Sequence, residues 1–301
     1  MVSTSHNHST MQDINETRIG FAALLTGTFM IAEVVGGVLS GSLALLADAG
    51  HMVTDFASLC LAWFAFRLTR RPADWQHTYG YDRFMTLAAF VNGLALFVVA
   101  AWIIVEAFHR LNEPTTVLGG IMLWVAMGGL FVNLITFWML HGGDHKNLNL
   151  RAAYLHVLGD LLGSVAALIA AVVILLTGWM TIDPLLSLLV ALLILRSGWY
   201  VVRDSGNILL EGAPNDIDRQ ELSADLVSSI SALTDIHHVH IWSISENRHM
   251  ATLHARVSGR PDMEQVTVDI KRRLQDKYGI NHATVEIEFD CCADDDGCSQ
   301  N

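Results

Sequence analysis

Six stretches of this chain run for about twenty residues or more almost without charge, at about 17–39, 43–68, 84–108, 118–140, 150–177 and 182–203. A helix needs roughly 20 apolar residues to cross bilayer hydrocarbon, where every backbone polar group must be satisfied within the protein. The spacing therefore predicts an α-helical membrane protein with six transmembrane helices. Composition agrees, because 52% of the 301 residues are hydrophobic and only 16% are charged. A disordered chain, a secreted disulfide scaffold and most soluble enzymes are excluded. The net charge of -12 argues against a nucleic-acid partner, which would need a basic surface. The four cysteines, Cys60, Cys291, Cys292 and Cys298, are placed too unevenly for a disulfide framework.

Charge also divides the chain. From Ile208 onward there are 17 Asp and Glu against 8 Lys and Arg, whereas the part before it is close to neutral. Residues 1–16 are polar, hold His6 and His8, and lack the features of a cleavable signal peptide, so a disordered cytoplasmic tail is expected there. The membrane domain then spans 17–207. Arg67, Arg70, Arg71 and Arg83 lie between spans two and three, Lys146 and Arg151 between four and five, while the opposite connections offer only Arg110. The positive-inside rule thus puts both termini in the cytoplasm. In 208–290 the pattern shortens to helix (217–232), strand (237–245), strand (250–258), helix (262–278) and strand (283–289). This αββαβ order predicts a small, metallochaperone-like open-faced sandwich, followed by a Cys/Asp-rich tail at 291–301.

Charged groups within a span are costly and need a reason to be there. Two occurrences match each other. DAGHMVTDF in span two sets His51 and Asp55 four residues apart, and YLHVLGDLL in span five does the same for His156 and Asp160. That spacing puts each pair on one helix face, one turn apart. Two such faces brought together offer two imidazoles and two carboxylates, a set that Zn(II) accepts in tetrahedral geometry. The competing reading of one pair is a helix–helix hydrogen bond, but such a bond gives no reason for the same spacing twice. Small residues, among them Ala47, Gly50, Gly159 and Gly163, would let the two helices approach closely. Glu33, Glu106, Asn92 and Asn133 read as helix-contact or lumen-lining groups, and Asp48 as lining the approach to the site.

SGSLALLADAGHMVTD, NLNLRAAYLHVLGDLLGS, IDPLLSLLVALLI and LLEGAP resemble the cation diffusion facilitators, specifically their zinc-exporting branch, and the likeness runs from about 17 to 290. The resemblance implies that His51, Asp55, His156 and Asp160 form the transport site, that His at the first position goes with a zinc preference, and that the protein is a homodimer of the bacterial inner membrane exchanging Zn(II) outward for protons inward. The chemistry agrees: zinc binds neutral imidazole, so protons compete with metal, and imidazole titrates at a pH where a cellular gradient can act. Zn(II) is then the substrate and a candidate regulatory ligand, and the proton its counter-ion.

The resemblance also marks accessory sites. Asp74 and His77 match a looser site in the connection between spans two and three, where relatives carry a further His near the position of Tyr81. In the cytoplasmic domain His240, His254 and Asp290 match ligand positions, Glu288 stands where relatives have His, and Cys291 and Cys292 add thiolates of the kind zinc prefers. Arg83 is expected to pair with Glu211. His141 and His145 sit on a Gly-rich linker. A membrane-anchored divalent-metal sensor and an exporter of Cd, Ni or Co are the alternatives. An intramembrane metalloprotease would carry HExxH, which the sequence lacks.

Overall fold

The computed structural model describes residues 27–69, 73–141, 148–246 and 248–289, with Cys292 and Asp294; the side chains at 55, 58–59, 62–63, 65–67, 69, 139–141 and 148–159 lie outside that description. Among the described residues, six apolar helices come first: α1 (Gly27–Ser40), α2 (Leu43–Thr69), α3 (Arg83–Asn112), α4 (Gly119–His141), α5 (Leu148–Thr177) and α6 (Ile182–Leu209). Among the described residues, four helices are long and apolar enough to cross a membrane: α3, α4, the Asp160–Thr177 part of α5, and α6. Their surfaces carry exposed Trp138, Leu176, Val98 and Phe131, which suits hydrocarbon rather than water as the solvent. The tails at 1–16 and 295–301 and the linker with His145 fall outside the described residues.

The chain divides into two compact units. One comprises Met1–Cys60 and Asn92–Trp199, the other Leu61–Val91 and Tyr200–Asn301. In the first, the N-terminal half of α2 is central. Leu43 and Ala47 pack with Leu96, Ala100, Ile103 and Ala107 of α3 and with Val190, Ala191 and Ile194 of α6. Ala44 and Leu45, on the other side of α2, pack with Met122 and Ala126 of α4 and with Ala167, Ala170, Ala171 and Ile174 of α5. So many buried alanines reflect the rule of helix packing in lipid, where small side chains let backbones meet.

The start of α2 is tied down by charge. Gly41 takes the left-handed conformation (φ 69°) that separates α1 from α2. Ser42 then caps α2, its Oγ accepting from Leu45 N–H at 3.2 Å. Asp183 of α6, fully buried, accepts from Ser42 Oγ at 2.6 Å and from the N–H groups of Leu43 and Ala44 at 2.7 and 3.2 Å. A carboxylate on orphan N–H groups at the positive end of a helix dipole satisfies both the donors and its own charge. On α3, Arg110 donates to the Gly41 carbonyl while holding Glu106 at 2.8 Å.

The second unit holds the cytoplasmic αββαβ domain: α7 (Arg219–Ser229), β1 (Leu233–Ser245), β2 (Arg248–Val257), α8 (Met263–Tyr278) and β3 (Ile280–Glu288). The sheet order is β1-β2-β3, with β1 antiparallel and β3 parallel to β2. A parallel pair needs a crossover, and α8 supplies it. Asp262 caps α8 at its start and left-handed Gly279 ends it. Leu222 and Leu226 of α7 and Val266, Ile270 and Leu274 of α8 bury against alternate residues of the strands. Asp225 of α7 binds Arg273 and Lys277 of α8 at 2.7 and 2.8 Å, and those hydrogen bonds hold its carboxyl well below the usual range.

Strand β1 begins four residues before the expected 237, because Leu233 and Ile236 also reach the core. It also carries a defect. Pairing with β2 runs His237↔His254 and then His240↔Thr252, a register shift at which His238 adopts φ 48°. The extra residue is a β-bulge, and it ends the simple alternation of faces along this strand.

Candidate metal centres

In the membrane helices, α2 carries His51 and Asp55, and α5 carries His156 and Asp160. The structure brings one member of each pair together: His51 Nε2 stands 4.0 Å from Asp160 Oδ1, with Asp160 almost fully buried and His51 partly accessible. Two atoms bound to one tetrahedral zinc at bonds of about 2 Å lie roughly 3.3–3.5 Å apart. The observed separation is thus close to that of two ligands sharing an ion. Asp55 and His156 sit one helical turn from these residues, and their side chains lie outside the described residues.

The cytoplasmic centre is built by the bulge. Residues directly opposite each other in an antiparallel pair share a face, so His237 meets His254 across β1 and β2. Glu288 reaches them from the end of β3. Its Oε1 is 2.9 Å from His254 Nδ1 and its Oε2 3.0 Å from His237 Nε2. Cys292 Sγ, buried, lies 3.5 Å from His254 Nδ1. One ligand atom from each of His237, His254, Glu288 and Cys292 lies within 4.8 Å of all the others, the only such group of three or more among the described residues. Burial of Glu288 raises its carboxyl affinity for protons, but hydrogen bonds with Cys292 and His254 and the charges of His237 and His254 outweigh that and hold it below its ordinary value. The centre therefore keeps an anionic oxygen beside two imidazoles and a thiol, a donor set that fits Zn(II). Asp235 at 3.0 Å from His237 Nδ1, and Glu286 and Asp294 at 3.6 and 3.7 Å from His254 Nε2, surround the imidazoles with outer carboxylates.

Of the residues expected here, His254, Glu288 and Cys292 meet, while Asp290 and Cys291 lie outside the described residues. His240 does not join them. Beyond the bulge it is exposed and lines a separate cleft of about 880 Å³ with His77, Tyr79, Arg83, Glu211 and Trp242. His237 holds the position that the resemblance had given to His240, and no local signal in IHHVHIW marks the extra residue.

In the connection between α2 and α3, Asp74 and His77 are adjacent, with His77 Nδ1 at 3.2 Å from Asp74 Oδ1. Asp74 also accepts from the N–H groups of Gln76 and His77 at 2.9 and 2.6 Å and from Tyr81 Oη at 2.7 Å. These bonds, the Tyr81 hydroxyl first, lower its carboxyl to about 2. The Tyr81 hydroxyl thus organises the turn. Arg83 pairs with Glu211 at 2.9 Å, as expected, and Arg248 of β2 grips the same connection through Asp82 at 2.6 Å and the Tyr79 carbonyl at 3.1 Å.

Residues 19–210 match the cation efflux transmembrane domain, and 214–290 the cytoplasmic domain of cation efflux proteins. The chain is 49% identical over 296 residues to the zinc transporter ZitB of Pectobacterium atrosepticum, covering 98% of this chain and 92% of that protein. It is 49% identical over 292 residues to ZitB of Escherichia coli (96% and 93% covered). It is 41% identical over 288 residues to a protein of Bacillus velezensis named as a cadmium, cobalt and zinc/H(+)-K(+) antiporter (94% and 91% covered).

Proposed function

Because the chain belongs to the cation efflux family, we propose that it carries Zn(II) out of the cytoplasm in exchange for protons, by alternating access. The observation that carries this reading is the approach of His51 on α2 to Asp160 on α5, one residue from each of two identically spaced pairs. Relatives named as zinc transporters support zinc as the cargo, and one named as a zinc/H(+)-K(+) antiporter supports a proton as the counter-ion.

The exchange follows from ligand chemistry. Zinc takes the imidazole lone pairs of His51 and His156 and the carboxylates of Asp55 and Asp160. A proton arriving on an imidazole occupies the same lone pair, so metal and proton displace one another. Residues 17–207 form the transport body and 208–290 the cytoplasmic domain, with both termini in the cytoplasm of a bacterium whose inner membrane holds the protein. The cytoplasmic domain pairs two copies into a homodimer. His237, His254, Glu288 and Cys292 form a regulatory zinc site, with Asp290 and Cys291 next to it in sequence, and Asp74 with His77 forms a weaker one.

Zinc flux into proteoliposomes under an imposed pH gradient tests the reading. The wild type is expected to transport in proportion to the gradient, and His51→Ala and His156→Ala to lose transport. Flux that ignores the gradient rejects proton exchange, and full flux in both variants rejects the ligand assignment. The cytoplasmic cluster alone favours a second reading, a zinc sensor anchored by an inert membrane body. That reading requires no zinc flux from the wild type.

A further inference from the structure

We propose that Glu33 and Asp48 form a second divalent-cation station inside the membrane domain, one helical turn from His51, binding a zinc-like ion through carboxylate oxygens. Glu33 lies on α1 and Asp48 on α2, and their exposures are 1% and 4%. The two carboxylates face each other within hydrogen-bonding range. Beyond one another, Glu33 Oε2 and Asp48 Oδ2 find no hydrogen-bond partner among the described residues. Two buried carboxylates aimed at one another repel strongly in a low dielectric, so the pair holds either a shared proton or a cation, and a divalent cation that displaces the proton cancels the repulsion. Ionisable groups inside a span mark ion paths for the same reason.

The neighbouring helices are shaped to this pair. A Cβ placed on Gly163 of α5 would stand 2.9 Å from Asp48 Oδ1, and one on Gly129 of α4 would stand 3.0 Å from Glu33 Oε1. Both helices thus bring bare backbone against the carboxylates, at positions where a side chain would fill the space. Asn133 of α4 and Ser164 of α5, both buried, bond to each other at 3.0 Å; Asn133 lies one turn beyond Gly129, and Ser164 directly follows Gly163. Asp160, one turn before Gly163, is close enough to both acids to act on them through its charge. Asp160 is thus shared, approaching His51 at 4.0 Å and acting by its charge on both acids of this pair, so an ion leaving one site has a charged partner near the other.

The identity of the ion and its direction rest on the transport reading; the existence of the station does not. If α1 crosses outward and α2 returns, Asp48 lies on the outward side of His51, and the station belongs to the exit path. Two protein carboxylates completed by water hold zinc more loosely than a four-ligand set, as an exit step requires.

Equilibrium dialysis of full-length protein against radioactive Zn(II) at pH 7 tests this, in a background of His237→Ala, His254→Ala and Cys292→Ala that removes three of the four donors of the cytoplasmic centre. The expected result is loss of one zinc per protomer on Glu33→Gln with Asp48→Asn, with the zinc that depends on His51 retained. Glu33→Asp, which keeps the charge, should keep that ion with affinity weakened about tenfold. His51→Ala should release its own zinc and leave the station's in place, and its flux in proteoliposomes reports on the transport reading separately. An unchanged zinc count in the Gln/Asn variant overturns the proposal and leaves the pair as a holder of protons only. Equal behaviour of Glu33→Asp and Glu33→Gln overturns it too, because a packing role does not distinguish them by charge.

Discussion

The two proposed metal centres are made by different geometries. In the membrane, each half of the site is a pair four residues apart on one helix, and helix periodicity alone puts both members on one face. In the cytoplasmic domain, four donors come from β1, β2, the end of β3 and the segment after it. Which donors meet there depends on register, and one bulged residue in β1 changes the answer. A helical centre is written locally, whereas a sheet centre is written in the pairing of distant segments.

Loss of transport should be the largest consequence, and it belongs to the helical centre. His51→Ala and Asp160→Asn are each expected to reduce proteoliposome zinc flux at least about a hundredfold, since a four-ligand site missing one donor fails both to hold and to hand over the ion. A variant of His237 or Cys292 that abolished flux as completely would erase the distinction between the centres. His51→Asp keeps four donors but replaces a nitrogen with an oxygen, so flux should persist with weaker discrimination of Zn(II) from Cd(II). Unchanged selectivity in competition uptake would show that this position does not set it.

The sheet centre predicts a smaller and more local pattern. Zinc affinity of that centre, measured by calorimetry on the His51→Ala protein, should fall about 10- to 100-fold for His237→Ala and for His254→Ala. His240→Ala should leave it within about twofold, being beyond the bulge and in another cleft. The reverse ranking would mean that alternation, and not the bulge, sets the face. Replacing His238 by Gly relieves a left-handed backbone and should stabilise the domain by up to about 1 kcal/mol in thermal unfolding.

The smallest effect is electrostatic and independent of metal. Asp225 has its carboxyl pKa lowered in the folded state by Arg273 and Lys277. Its contribution is therefore complete above the ordinary aspartate value and is lost as pH falls through the lower, folded one. Asp225→Asn should flatten the acid limb of the stability profile, followed by circular dichroism, and leave the neutral limb with the same slope.

Much of this was legible from the sequence. The charge-poor stretches locate α2 to α6, because hydrocarbon admits few alternatives, and the i, i+4 pairs mark the faces of α2 and α5. Helix α8 is also readable, opened by Asp262 and closed by Gly279. What was not readable is non-local. Nothing in IHHVHIW says that His238 is the unpaired residue, and nothing near Glu33 says that α1 delivers it to Asp48. That meeting, like the match of Asp183 to the start of α2, is decided by helix packing between residues far apart in sequence.

The clasp of Asp183 on the first turn of α2 has a mechanical meaning. A rod held at one end moves by swinging about that end. His51 lies eight residues beyond Leu43, which at about 1.5 Å per residue places it roughly 12 Å from the fulcrum. A swing of roughly 10° there carries the imidazole about 2 Å, the length of a zinc–nitrogen bond. On the proposed transport reading, leverage from a fixed pivot makes a small tilt of α2 enough to separate a grasped ion from a released one.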